Sequence, residues 1–79
     1  MLNNKHMIKV TNSNYDSSWI QKASYNHSDK TLFVILKSGS SYLFNGISKT
    51  DFDYFNDSDS QGSAFNKLIK NNYTFEKIH

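Results

Sequence analysis

The residues from Asp57 to Gly62 (DSDSQG) have the spacing with which a calcium-binding loop begins. Such a loop needs oxygen ligands at its first, third and fifth positions, a glycine at the sixth and a bidentate glutamate at the twelfth. Counted from Asp57, the glycine is in place, but the twelfth residue is Leu68, which has no ligand atom. We therefore interpret these residues as caps of helices, and we expect neither a metal nor any other cofactor.

Residues that act as nucleophiles, bases or phosphate ligands in enzymes are scarce. There is no cysteine, and the three histidines, His6, His27 and His79, lie far apart in the sequence. The three glycines are isolated, so a glycine-rich phosphate loop is not indicated. The four aspartates within residues 51–59 could pair for acid–base catalysis, but helix capping explains them more simply. We expect a binding module without enzymatic activity.

Length and composition indicate one small domain with an aromatic core. The chain has 79 residues, with six Phe, five Tyr and one Trp, and each aromatic ring buries a large area. The absence of cysteine favours a cytoplasmic location, and no apolar run is long enough to cross a membrane. The net charge is only +2 and there is no Arg, so any phosphate contact must use Lys, polar side chains or backbone N–H groups.

Hydrophobic alternation predicts three antiparallel strands. Residues 1–14 are polar, and we expect them to form a flexible arm with at most a short strand at 7–10. The remaining residues, 15–79, form a single domain. The predicted strands lie within residues 15–25, 31–38 and 42–44.

After the third strand, the spacing of the hydrophobic residues changes to one that favours helices. Thr50 is the predicted N-cap of a first helix, with Asp51 and Asp53 in its first turn, where the helix dipole favours negative charge. A second helix is predicted from near Ser60 to about Asn71, and an extended tail follows. The sequence thus predicts an α+β fold: a three-stranded antiparallel meander, two short helices and a short C-terminal extended segment. The apolar stripe of the second helix is Ala64, Phe65, Leu68 and Ile69.

The strand at 31–38 is apolar on both faces, because Phe33 and Ile35 alternate with Leu32 and Val34. Helices can cover one face of such a strand, and the other face needs another element, a ligand or a partner chain. A homodimer or a heterocomplex is therefore an expected use of the second face.

Aromatic residues interleaved with Lys and Asn could stack on bases and hold phosphates, whereas the aspartates of the first helix could contact a basic protein. These two possibilities remain open. The candidate partner-binding residues are Trp19, Tyr25, Tyr42, Asp51, Asp53, Asp57, Asp59, Asn66, Lys67, Lys70 and Tyr73.

The stretches SSWIQKASYN, TLFVILKSGSSYLFNGIS and SDSQGSAFNKLIKNNY together resemble the KTSC domain family. The family usually has Pro after its Gly-Val pair, where this chain has Ser48. The most specific motif is S-x-G-x-x-F-N. The matching residues are Ser18, Ile20, Tyr25, Ser38, Gly39, Tyr42, Gly46, Ile47, Ser60, Gly62, Phe65, Asn66, Ile69 and Tyr73.

Two functions follow from the resemblance and the composition. The family occurs at the C-terminus of some lysyl-tRNA synthetases, which implies binding of RNA or another nucleic acid, weakened by changes to Lys67, Lys70 or Tyr73. Free-standing members in phages and bacteria imply a small accessory protein. The alternative is therefore a protein-binding inhibitor of a bacterial defence system, similar to an anti-CRISPR protein, that uses the acidic helix and an aromatic sheet face.

Overall fold

The computed structural model describes residues 9–79, which form an antiparallel sheet with helices on one face. The five strands follow one another across the sheet in chain order, and the helices are inserted between the fourth and the fifth strand. No helix in the described part of the chain is long and apolar enough to cross a bilayer. The elements are β1 (Val10–Asn14), β2 (Ile20–Asn26), β3 (Thr31–Leu36), β4 (Ser41–Phe44), α1 (Lys49–Asn56), α2 (Gln61–Ala64), a π-helical segment (Phe65–Lys70) and β5 (Phe75–Lys77).

The α+β class is confirmed, but the prediction of three strands is wrong, because the sheet has five. β1 lies in the segment predicted to be a loose arm, and it pairs with β2 from Val10↔Asn26 to Asn14↔Lys22. Its sequence, VTNSN, has little intrinsic strand preference, so the strand forms because β2 offers a free edge. Residues 1–8, which include the first half of the strand expected at 7–10, lie outside the described residues.

The predicted C-terminal extended segment forms the other edge of the sheet. β5 pairs with β4, with Phe75 opposite Phe44 and Lys77 opposite Tyr42. All three residues of β5 are exposed, so no burial pattern in the sequence distinguishes it from a loop. Pairing with β4 therefore decides its conformation.

The core lies between the helices and one face of β2, β3 and β4. Tyr25 stacks on Phe52 with ring centroids 4.3 Å apart and 12° between the planes, and its hydroxyl donates to the carbonyl of Ile47 at 2.6 Å. Because buried aromatic pairs add to the free energy of area burial, this contact fixes α1 on the sheet. The buried hydrophobic residues are Ile20, Ala23, Tyr25, Leu32, Val34, Phe44, Ile47, Phe52, Phe55, Ala64, Phe65 and Ile69.

The helix caps partly match the sequence prediction. α1 is capped by Ser48 and not by Thr50, because the Ser48 hydroxyl accepts from the N–H of Asp51 at 3.1 Å while its backbone is extended. The residue that replaces the family's usual proline thus fixes the start of the helix by hydrogen bonding. As predicted, Asp57 lies at the end of α1 and Ser60 caps α2 through the N–H of Ser63.

Gly62 is buried because the indole of Trp19 rests against it. A Cβ at position 62 would lie 2.5 Å from Nε1 of Trp19, well inside van der Waals contact. Trp19 also meets Phe65 edge-to-face at a centroid distance of 5.5 Å. The glycine in the first turn of α2 thus permits the close approach of the sheet and the helix.

Replacing Gly62 with Ala should destabilise the protein. Alanine favours a helix by about 1 kcal/mol over glycine, but overpacking against Trp19 costs about 1–3 kcal/mol. We expect a lower melting temperature together with a shift in Trp19 fluorescence. The neighbouring exposed residue provides the control, since Ser63→Ala should change stability by less than about 0.5 kcal/mol. A G62A protein as stable as the wild type would contradict the close contact.

Tyr15 joins the β1–β2 connection to α1. Its hydroxyl donates to Oδ1 of Asn56 at 2.7 Å, and its ring meets Phe55 edge-to-face at 5.2 Å. Partial burial raises the pKa of Tyr15 to about 12, because the phenolate is poorly solvated there.

This pKa predicts a loss of stability at alkaline pH. A raised pKa means that the folded state holds the proton more tightly, so the contribution is complete below the unfolded pKa of 10.0 and declines as pH rises towards about 12. Denaturant unfolding at several pH values should show this decline in the wild type. Tyr15→Phe should be less stable at neutral pH but should show a shallower alkaline decline. If the free energy of unfolding fell equally steeply with pH in the two proteins, the raised pKa of Tyr15 would be contradicted.

Candidate functional site

Three of the predicted binding residues, Trp19, Tyr42 and Lys70, meet at one pocket. The pocket opens between the helical layer and the β4–β5 edge of the sheet. We call it the aromatic pocket. Its lining residues are Trp19, Leu36, Tyr42, Phe44, Phe65, Lys70 and Phe75.

The walls of the aromatic pocket are rings in mutual contact. Phe44 meets Phe65 edge-to-face at 5.3 Å, and Phe75 lies 5.1 Å from Phe44 and 5.6 Å from Tyr42 between ring centroids. Phe75 is 49 % exposed, so its ring is accessible at the mouth. The volume is about 140 Å³, below the ~300–1,000 Å³ of sites that enclose drug-sized ligands. The pocket therefore suits a single planar ring.

The π-helical segment brings Lys70 to the aromatic pocket. Phe65 and Lys70 are five residues apart, and in an α-helix such residues point about 140° away from each other. The wider π-helical turn, with hydrogen bonds between residues five apart, places them closer to the same side. The ordinary helical period instead predicts that Lys70 faces solvent beside Lys67, and the structure separates these two lysines.

One further lysine borders the aromatic pocket. Lys77 is opposite Tyr42 across the β4–β5 ladder, and cross-strand partners share a face of the sheet. Lys77 is exposed, and among the described residues Lys70 is the charged residue that lines the pocket itself. The surroundings of the pocket are therefore basic.

Other predicted residues have structural roles. Tyr25 is 1 % exposed and belongs to the core, so the structure does not place it on a binding surface. Tyr73 donates its hydroxyl proton to the carboxylate of Asp51 and accepts from the N–H of Ser48. These hydrogen bonds hold the chain before β5 against the start of α1.

The aspartates lie apart from the aromatic pocket. Asp53 and Asp57 line a groove of about 440 Å³ around Tyr54, which is 71 % exposed. Lys49 donates to Asp53 at 2.6 Å, and this hydrogen bond raises the pKa of Lys49. We call this groove, together with Thr50 and Ser58, the acidic groove. It is the part of α1 that a basic partner could contact.

Asp59 precedes α2, and Asn66 and Lys67 lie in the π-helical segment. Lys67 lines a groove of about 370 Å³ that it shares with Asp59 and Tyr54. Asn66 and Asp59 line a polar cleft of about 270 Å³, and Trp19 forms the wall between this cleft and the aromatic pocket. Four residues of the family motifs also line the polar cleft or its rim: Ser18, Ser60, Gly62 and Asn66.

The sequence did not identify Phe65, Phe75 and Lys77 as site residues. Phe65 has the helical spacing of a core residue and is buried. Nothing further in the sequence indicates that it also forms part of the pocket wall. Phe75 and Lys77 reach the site only because β5 pairs with β4. The alternation FEK is too short to indicate a strand by itself.

Comparisons with known proteins agree with the resemblance seen in the sequence. The family model described as the KTSC domain matches residues 16–73. The crystal structure of a KTSC domain protein from Yersinia pestis superimposes with a TM-score of 0.82 at 21 % identity, covering 90 % of this chain and 100 % of that one. No match is found among curated proteins. With the family model matching most of its length, this chain belongs to the KTSC domain family.

Proposed function

We propose that this protein is a non-enzymatic module that binds single-stranded nucleic acid through its aromatic pocket. The observation that carries the proposal is the combination of accessible rings, Trp19, Tyr42 and Phe75, with Lys70 in one small pocket. Proteins that bind single strands combine aromatic stacking platforms with basic residues along the backbone path. A pocket of this size accepts one unstacked base.

The charge pattern supports a weak, stacking-dominated interaction. Lys70 and Lys77 are the cations at the pocket, and the chain has no Arg. Contact with about two phosphates gives a salt slope of roughly −1.4 for a single strand. Most of the free energy must then come from the base, since stacking on an aromatic ring contributes about 1–3 kcal/mol. RNA and DNA are both compatible with this chemistry.

A matched pair of lysine variants tests the proposal. Trp19 is the only tryptophan, so its fluorescence reports directly on occupation of the pocket by an oligothymidine or oligouridine strand. Lys70→Gln should weaken binding and reduce the magnitude of the salt slope by about 1. Lys67→Gln, three residues away on the same helical stretch, should change neither the affinity nor the salt slope. Phe75→Ala should weaken binding about 5–100-fold, through lost stacking.

The proposal is overturned by either of two results. One is an unchanged Trp19 fluorescence with both strands at low salt. The other is an equal effect of K70Q and K67Q, which would indicate general charge attraction in place of a defined pocket.

The acidic groove supports a second candidate, a protein-binding inhibitor of a bacterial defence system. Tyr54 is 71 % exposed and lies between Asp53 and Asp57. Tyrosine is enriched at protein interfaces, and the carboxylates provide complementarity to a basic surface. An exposed aromatic ring flanked by acids is thus a suitable anchor for a basic protein.

Charge reversal separates this candidate from the first. Immobilised wild-type protein, a D53K/D57K variant and a control variant, Asp29→Lys in the β2–β3 turn, are used to capture proteins from a bacterial lysate. We expect a basic protein captured by the wild type and by D29K but lost with D53K/D57K, because like charges repel at the interface. Equal capture by all three proteins would exclude the acidic groove as the contact.

A further inference from the structure

An apolar cluster lies on the face of the sheet that points away from the helices. Phe33 and Leu43 are cross-strand partners on β3 and β4, and Ile35 follows Phe33 on the same face. Ile78 comes next to them, since its N–H donates to the carbonyl of Ser41 at 2.8 Å. We call these four residues the outer face. None of them belongs to the core cluster, and Ile78 is 52 % exposed.

A positive charge lies on one flank of the outer face, and a negative charge lies on the opposite flank. Lys22 on β2 pairs with Ile35, and Glu76 on β5 pairs with Leu43. Both are exposed. Because the strand order is β2-β3-β4-β5, the lysine and the glutamate lie on opposite sides of the apolar cluster.

We propose that the outer face binds the outer face of a second copy of this chain, with a two-fold axis parallel to the strands. Such an axis places β2 of one copy over β5 of the other. Because Lys22 is in register with Ile35 and Glu76 with Leu43, the two charges are displaced by two residues, about 7 Å, along the strands. The long side chain of Lys22 spans this displacement towards Glu76 of the second copy, so that one surface provides both members of two ion pairs. An isologous interface requires this kind of self-complementarity, and it is the charge pattern that identifies the occupant.

The size of the outer face predicts a weak dimer. The four overlapping strands β2 to β5, about 4.8 Å apart and about five residues long, cover roughly 300 Å². Two such surfaces bury about 650 Å², below the ~1,200–2,000 Å² of stable complexes. The dissociation constant should be on the order of 100 µM. The aromatic pockets lie on the helical side of each sheet and stay open, so the dimer would present two of them.

Sedimentation equilibrium of the full chain between about 20 µM and 2 mM tests the proposal, a range that brackets the expected dissociation constant. The mass should rise from 9.2 kDa towards twice that value. Phe33→Asp should remain monomeric, because a carboxylate in an apolar interface is strongly disfavoured. Tyr54→Asp, which changes an exposed ring on another surface, should associate as the wild type does.

Exchanging the charges at positions 22 and 76 tests the orientation of the two copies without changing the apolar residues. This test remains informative if F33D fails to fold. Lys22→Glu and Glu76→Lys should each weaken association about 5–10-fold, and the double exchange should restore it. A mass of 9.2 kDa at the highest concentration would overturn the proposal. A double exchange no stronger than the single variants would also overturn it, because Lys22 and Glu76 would then not face each other.

Discussion

The contact between the Trp19 indole and Gly62 joins the sheet to the second half of the helical layer. Only a residue without a side chain leaves room for the indole at that position, since a Cβ would lie 2.5 Å from its Nε1. Once Trp19 is held there, one side of its ring faces Phe65 and the aromatic pocket, and the other borders the polar cleft. The same contact therefore stabilises the fold and forms the wall between its two cavities.

Charge and apolar surface are segregated around this small sheet. Lys70 and Lys77 lie beside the aromatic pocket, Asp53 and Asp57 line the acidic groove on α1, and the outer face carries partly buried apolar residues together with the exposed Ile78. Because a chain of this length has little core, each large apolar side chain left exposed is apolar area that does not contribute to the stability of the monomer. Phe75, Tyr54 and Ile78 are the clearest cases, and each lies on a different surface for which we propose a partner.

The sequence predicted well what depends on neighbouring residues. The strand predicted within residues 31–38 is β3, and the helix predicted to begin near Ser60 is α2, which Ser60 caps. The sequence failed where distant pairing decides the conformation, as in β1, whose Asn and Ser residues become a strand only beside β2. At the site it identified Trp19, Tyr42 and Lys70. It could not separate these from Tyr25 and Tyr73, because burial and hydrogen bonding are properties of the folded chain.

The sequence by itself determined the α+β class, the family and the aromatic core. These follow from periodicity, residue type and motif spacing, which are local properties. Only the tertiary structure decided the number of strands, since the edge strands form by pairing with β2 and β4, as Val10 does with Asn26 and Lys77 with Tyr42. It also decided the direction of Lys70, because the π-helical turn breaks the 3.6-residue period. The aromatic pocket exists for the same reason: its walls come from β4, β5 and the helical layer, which pairing and packing bring together.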